Sequence, residues 1–346
     1  PILRRYVEQV ASEMPGVKLF FMQSSGGLTD ARAFQGKDAI LSGPAGGAAG
    51  LVTLGRQHNL DKLIGLDMGG TSTDICLIKD GKLPLKSTQI INDHTLLAPT
   101  VDIHTIGSGG GSIAYVDNTG RLKVGPMSAK AVPGPAAYMQ GGTLATLTDA
   151  HVVLGTIGQQ SLASGLTLSK EAAVKAVSEV AEKLGQDVVQ IAIAIVSMSV
   201  AHMIRALRQV SIERGLDPRD FTLVPFGGAG PLHAGLLLRN LNLESALIPN
   251  RPGLFSADGL LSAGVRIDAA QTLLSPYSTS EISNYIAWFE GKQKEAERLA
   301  NRVIISKKSH GQMFEPAGEL HLHFDGHDNY SNYYRELDIE KAIAKT

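Results

Sequence analysis

The stretch that decides the fold is "GLDMGGTSTD", residues 65–74, where an apolar run reaches Asp67, breaks at Gly69-Gly70 and continues as three hydroxyl side chains and a second acid. If Leu63–Met68 is a strand, the glycine pair turns sharply where no Cβ is tolerated. The next backbone N–H groups then point outward instead of into a ladder. Such a bend cradles anions. Thr71, Ser72 and Thr73 add hydroxyl donors, while Asp67 at the strand end is better placed to hold Mg2+ through water than to meet phosphate directly. Downstream, "DICLIKDGKLPLKSTQI" (74–90) reads as two strand-like runs around Asp80-Gly81, a dipeptide favoured in two-residue hairpin turns because both central positions need positive φ. The glycine motif is therefore expected between paired strands. A P-loop would need Gly-Lys-Ser/Thr opening a helix, so this pattern argues against both that loop and the dinucleotide turn.

Around this motif the chain has an ordinary globular composition. Apolar residues make up 43% and the net charge is −1, so no basic face invites nucleic acid or an anionic membrane. The single Cys76 excludes an intrachain disulfide and a cysteine-built zinc site, which fits a cytoplasmic setting. No apolar stretch is read as reaching the roughly 18–20 residues of a membrane span, and "PILRRYVEQV" lacks a signal-peptide core. "VKLFFMQ" (17–23) and "FTLVPF" (221–226) read as buried strands, with "SALIP" a further strand. Ser169 and Asp187 are the expected N-caps of two consecutive amphipathic helices. "GPLHAGLLLRNL" and "GLFSADGLLSA" read as helices, giving an alternating α/β pattern. Residues 97–150 have no helical period and many glycines and prolines, as expected of a long insertion lining a site. After residue 275 a polar helix with Ile282, Ile286, Phe289 and Leu299 on one face opens a separate module. The expected domains are therefore 1–275 and 276–346.

Strand, acid, glycine pair, hydroxyl run and hairpin together resemble the second phosphate loop of the acetate and sugar kinase, heat-shock chaperone and actin superfamily. In that superfamily two lobes hold the β- and γ-phosphates. "LVPFGGAGPLHA" (223–234) resembles the matching piece, and the resemblance implies that Gly227, Gly228 and Gly230 let the backbone approach adenosine. A glycine-rich turn and a tight strand-to-helix packing are the plain readings of the two segments taken singly. "VDIHTIGSGGGSIAYVD", "VGPMSAKAVPGPAAY", "LTDAHVVLG", "FGGAGPLHA" and "RPGLFSADGLLSA", with "MQSSGGL" and "SGPAGGAAG", resemble the ATP-binding subunit of the hydantoinase and 5-oxoprolinase family. The implied fold is an α/β, ribonuclease H-like (actin-like ATPase) lobe carrying the Gly/Pro-rich insertion, plus the start of an α+β module. No "GGT" hairpin precedes Asp67, and "HFDGHDNY" departs from the family's C-terminal pattern. The chain is thus expected to be a piece of a longer protein, lacking the N-terminal phosphate-loop domain and hydrolysing little or no ATP alone.

On this reading Asp67 binds Mg2+ and acts in catalysis, and Gly69, Gly70, Thr71 and Thr73 bind the phosphates of ATP. Asp74 either joins them or caps the turn through backbone N–H groups. Gly109 and Gly110, within 107–112, bring backbone donors to nucleotide or substrate, or merely connect strands. Asp102 and His104, two apart on an expected strand, point to one side, and Asp149 with His151 repeats the spacing. They are candidates for a metal or acid/base role, His104 first, against plain structural hydrogen bonding. His202 is expected in the core, and His233 to cap or pack. Arg205 and Arg208 should form a solvated stripe. Ser42 lacks the nucleophile-elbow pattern of a serine hydrolase.

The family resemblance implies ATP-dependent cleavage of a cyclic amide, with the amide oxygen phosphorylated before ring opening, together with a B-type hydantoinase subunit and an oligomeric intact enzyme. Two alternatives remain from the sequence. One is an ATP-dependent ketone (acetone or acetophenone) carboxylase; the other is a nucleotide-binding module or small-molecule kinase without lactam chemistry.

Overall fold

The computed structural model describes residues 2–91, 94–158 and 165–267, with 287–288, 290–292, 294–295, 319–322 and 335–338 further on. The chain divides into two units, residues 1–263 and 264–346, so the break falls at Ala263–Gly264 rather than after 275. In the second unit β11 (Glu319–Leu322) pairs antiparallel with β12 (Arg335–Asp338). The expected apolar face of Ile282, Ile286, Phe289 and Leu299 lies outside the described residues.

The first unit opens with α1 (Ile2–Glu13), the antiparallel pair β1 (Phe20–Met22) and β2 (Leu28–Asp30), the short α2 (Gly36–Ala39) and α3 (Ser42–His58). Next come β3 (Leu63–Met68) and β4 (Thr73–Ile78), then β5 (Leu85–Ile91) and β6 (His94–Val101) as a separate ladder, and β7 (His104–Ile106). The hairpin β8 (Ser112–Val116) and β9 (Leu122–Ser128) leads to helices α4 (Leu147–Val153), α5 (Lys170–Leu184) and α6 (Val188–Val210). Strand β10 (Thr222–Phe226) and helices α7 (Ala234–Leu241) and α8 (Phe255–Ser262) complete the unit.

The central sheet has the order β10-β3-β4-β7. Both β3–β4 and β4–β7 are antiparallel, and β10 runs parallel to β3, which is the mixed α/β, ribonuclease H-like arrangement of an actin-like lobe. The expected "SALIP" strand shrinks to a single parallel bridge between Ala246 and Leu223. Because both sheet faces are covered, β3 reads as a nearly continuous apolar run. Ile64, Leu66 and Met68 are fully buried in one core with Ile191, Ile195, Met203 and Leu207 of α6. On the other face Leu51 of α3 lies over Gly65. Each of these large side chains stabilises the unit by roughly 1.5–3 kcal/mol relative to exposure.

The two predicted caps form. Ser169 accepts from Ala172 N–H, and Asp187 from Val189 and Gln190 N–H, each satisfying donors that a helix start leaves unpaired. Contrary to the sequence reading, the stretch containing α6 is long and apolar enough by length and composition to cross a membrane. Its buried residues pack in the sheet's core, which makes it a core helix. His202 also departs from expectation. It is exposed, because the buried stripe runs through Ser199, Met203 and Ala206, and an adjacent residue turns about 100° away. Arg205 and Arg208 are exposed as read.

Asp80 and Gly81 both adopt positive φ, 54° and 66°, and Lys82 N–H donates to the Lys79 carbonyl, as the hairpin turn requires. The ladder beyond it stops at the single bridge Lys79–Lys82. Past that bridge β5 leaves β4 to pair with β6, while β7 pairs only with the start of β4, Thr73–Ile75. The hairpin that carries the glycine motif is β3–β4 itself.

Candidate phosphate-binding cleft

Parallel pairing sets Asp67 of β3 opposite Phe226 of β10, so the two strands end at one level and their glycine bends emerge side by side. Ala229 N–H donates to Met68 O at 2.9 Å, tying the bends together. Gly227 makes the approach possible: its φ is +79°, and a Cβ there would run into Asp67 Oδ1 and lie 2.5 Å from Met68 O. Gly69, Gly70 and Gly228, by contrast, border open space, and Thr71 is exposed at the tip of the hairpin. Gly69 N–H donates to Ser72 O across that tip.

Asp67 lies in this junction with one oxygen, Oδ2, accepting from Ser256 Oγ at 3.1 Å. Burial pushes its pKa up to about 6; the Ser256 bond opposes the shift and the neighbouring Asp74 adds to it. Asp74 is the register partner of Asp67, so the two acids share a face of the sheet. Burial raises Asp74 too, against the hydroxyl of Thr105, which donates to it at 2.6 Å. That bond, rather than turn capping through backbone N–H groups, is what holds Asp74.

Several expected ligands have other duties. Thr73 is fully buried, and its hydroxyl donates to Ser108 O at 2.5 Å, so it anchors the 107–112 loop instead of facing the cleft. Gly109 and Gly110 are buried behind the β3–β4 hairpin. Gly109 N–H donates to Ser112 Oγ, Gly110 N–H to Gly69 O at 3.0 Å and Gly111 N–H to Gly70 O at 2.7 Å. Their donors are consumed in buttressing the bend. Gly227 N–H is likewise given to Pro252 O, and Gly230 is buried beside Leu66 O, leaving Gly228 as the open member of that loop.

The four Asp/His candidates are not brought together as a metal site. Asp102 is ion-paired with Lys86 at 2.6 Å and Arg214 at 2.5 Å; burial works against its ionisation, but these cations outweigh it and lower its pKa. His104 is the register partner of Ile75, on the sheet face opposite Asp67 and Asp74, and is held below its usual pKa by burial and then by Arg214 and Lys86. Asp149 is buried in a capping box with Thr146 and accepts from Ala136 and Ala137 N–H. His151 Nδ1 lies 2.7 Å from Thr156 Oγ1, and its Nε2 3.2 Å from His233 Nε2. Among the described residues no group of three His, Cys, Asp or Glu side chains is disposed to hold a metal ion. The placement of Ser256 and the His151–His233 contact escape the sequence reading. Each joins residues far apart in the chain, 189 and 82 positions respectively, with no local pattern to announce them.

Fold and strand order define an α/β lobe with a ribonuclease H-like sheet. A family model described as Hydantoinase/oxoprolinase matches residues 1–269, and the chain belongs to that family. A second model, for the glycosyl hydrolase family 65 N-terminal domain, matches residues 281–346. The caprolactamase alpha subunit of Pseudomonas jessenii is 36% identical over 79% of this chain and 40% of its own length. The crystal structure of the ATP-dependent caprolactamase of that organism matches with a TM-score of 0.72 at 30% identity, over 98% of this chain and 50% of the other. The 5-oxoprolinase 1 of Arabidopsis thaliana is 36% identical over 82% of this chain and 24% of its own length. A nucleotide-free acetone carboxylase shares the fold, with a TM-score of 0.77 at 23% identity over 96% of this chain and 48% of the other. The chain thus spans about half or less of the length of the relatives it matches.

Proposed function

We propose that this chain is the ATP-binding part of an ATP-dependent cyclic-amide hydrolase of the hydantoin or 5-oxoproline type. The observation that carries the reading is the junction itself: two glycine bends, 158 residues apart counted from Gly69 to Gly227, meet beside one half-buried acid. The exposed tip at Gly70 and Thr71, shaped by the Gly69 N–H bond to Ser72 O, suits phosphate oxygens, and the open backbone at Gly228 suits the adenosine end of ATP. Asp67, with Asp74 beside it, is the acid that would hold Mg2+, a hard cation that takes carboxylate and water oxygens. Bound there, Mg2+ would supply charge neutralisation for the phosphates. The fit rests on the partly buried carboxylate and on the open space in front of the bend. His104 is withdrawn from the cleft by its sheet face, and Thr73, Gly109 and Gly110 support the hairpin rather than the ligand.

Lactams and ureides resist water because resonance leaves the carbonyl weakly electrophilic and the nitrogen a poor leaving group. Transfer of the γ-phosphoryl group to the amide oxygen releases ADP and makes the carbon attackable. Water then adds to that carbon, the ring C–N bond opens as the nitrogen takes a proton, and a second water cleaves the resulting acyl phosphate to carboxylate and phosphate. For this chemistry the chain's own part is positioning and backbone donation, which dominate phosphoryl transfer. The opposite wall of the cleft is assigned to a further phosphate-loop domain, and the ring-opening to a B-type subunit, in an oligomeric cytoplasmic enzyme. The naming of the caprolactamase relative as an alpha subunit supports that division.

The test is ADP release by the full-length protein with its B-type partner, given 5-oxoproline, hydantoin, caprolactam, or acetone with bicarbonate. ADP formed in step with ring-opened amino acid is expected. Turnover only with acetone and bicarbonate moves the assignment to ketone carboxylation, and no stimulation by any substrate defeats it.

A further inference from the structure

The three glycine segments are joined by a closed hydrogen-bonded circuit. Starting at the phosphate hairpin, Gly69 O accepts from Gly110 N–H at 3.0 Å, and Gly110 O accepts from both the N–H and the hydroxyl of Thr148, each at 2.8 Å. Thr148 sits in α4, and His151, one turn further along, places its Nε2 3.2 Å from Nε2 of His233. His233 Nδ1 then lies 3.1 Å from Ala229 O, and Ala229 N–H returns to Met68 O at 2.9 Å. The ring closes at the residue before Gly69. Its only side chain to side chain link is the histidine pair, whose rings meet edge to face with His233 fully buried and His151 nearly so.

The proton positions follow from the partners. A carbonyl only accepts, so His233 Nδ1 carries a hydrogen, and a neutral His233 offers Nε2 as an acceptor. His151 must then donate from Nε2, leaving its Nδ1 to accept from the Thr156 hydroxyl at 2.7 Å. The His151 carbonyl remains served by Thr156 N–H at 3.0 Å. Burial, which pushes both rings down to about 4, keeps the pair neutral at physiological pH.

We infer that His151 and His233 are positioning residues for the open glycine loop at 227–230, locked in opposite tautomers and sharing one Nε2–H, so that Ala229 is held against Met68 and Gly228 faces the cleft. What that loop binds rests on the reading given above; that the pair sets the loop does not. The pair has two interchangeable features that the experiment can separate. Gln at 151 can still present an N–H donor to His233, whereas Leu at 151 cannot and leaves a buried acceptor unpaired.

The test uses this chain with amide hydrogen exchange and imidazole 15N NMR. In wild type, His233 is expected as the Nδ1–H tautomer and His151 as the Nε2–H tautomer. In H151L, exchange at Ala229 N–H should rise by about tenfold or more, while the β3–β4 amides of Leu66 and Ile75 stay as in wild type; H151Q should restore protection at Ala229. Both rings in the same tautomer, or an Ala229 amide unaffected in H151L, would overturn the inference. So would a uniform rise across β3 and β4, the mark of a merely structural role. If H151L does not fold, the wild-type tautomers and the H151Q exchange pattern decide. Mg-ATP titration of the same proteins adds a second reading: about tenfold weaker binding in H151L and near wild-type binding in H151Q. Absence of ATP binding in every protein, with the tautomers and exchange as expected, would count against the nucleotide assignment alone.

Discussion

At Asp67 the demands of burial and of ligand binding oppose each other. A carboxylate set into a strand junction with one hydroxyl partner is costly to ionise, which is why its pKa rises, and an Mg2+ ion is the natural counter-charge for it. D67N, which can still accept from Ser256, is therefore expected to stabilise the ligand-free chain at pH 7 by on the order of 1–2 kcal/mol, after discounting for partial exposure. The same change should remove the Mg-ATP response. Thermal melting with and without Mg-ATP checks both signs; a destabilised D67N that still binds would contradict the assignment. Gly227 is the complementary case, since any Cβ there meets Asp67 Oδ1 in a left-handed conformation. G227A should lose at least about 1–2 kcal/mol of stability from the backbone alone, read from urea unfolding. The neighbouring histidines predict a pH effect. Both have folded pKa values near 4, below the unfolded 6.5, so the folded chain refuses protons that the unfolded chain takes up. Their contribution is fully present above 6.5 and is lost as pH falls through about 4, on the order of 3 kcal/mol for each ring. Melting curves from pH 7 to 4 should show it, and H151Q should shrink the slope by removing one titrating ring.

Among the elements, the capping signals were legible because they are local. Ser169 and Asp187 satisfy donors two or three residues away, and the run "KLIGLDM" is apolar because β3 is covered on both faces. Asp80-Gly81 was legible as a turn for the same reason, but not as the end of a ladder, since strand pairing depends on partners beyond the turn, and β5 leaves β4 to pair with β6. Contacts between elements escaped in the same way. Helix α8 packs on α3 so closely that a Cβ on Gly259 would meet Gly46 O and come within 2.7 Å of Gly50 N, and this contact fixes the start of α8, where Ser256 reaches Asp67. G259V should therefore cost about 1–3 kcal/mol and weaken Mg-ATP binding together. S256A on the same helix should weaken binding with a stability change of about 1 kcal/mol or less. Calorimetry paired with thermal melting separates the two, and a G259V chain that melts like wild type would show that the helices do not need this approach.

For the first unit as a whole, Gly69, Gly70 and Gly228 border open space beside Asp67, and a further domain closing over them is part of the proposed function. The chain by itself is expected to bind Mg-ATP weakly and to release ADP at no more than about a hundredth of the rate of the full-length enzyme with substrate, because positioning both ends of the transferring group supplies several kcal/mol of the barrier. Steady-state ADP release by the two proteins checks this, and equal rates would mean that the chain by itself suffices. The amino-acid sequence alone determined the α/β class, the strand–bend–strand motif around Asp67, the caps, and the family, because each is written in neighbouring residues or in a long ordered series of motifs. Which of the glycines, acids and histidines face a ligand was decided only by the tertiary structure. Register and strand order bring Gly227 to Asp67 and His151 to His233, and turn His104, Thr73 and Gly110 to other tasks. Those choices depend on non-local pairing and close packing, in which one residue's direction is set by partners that local sequence does not specify.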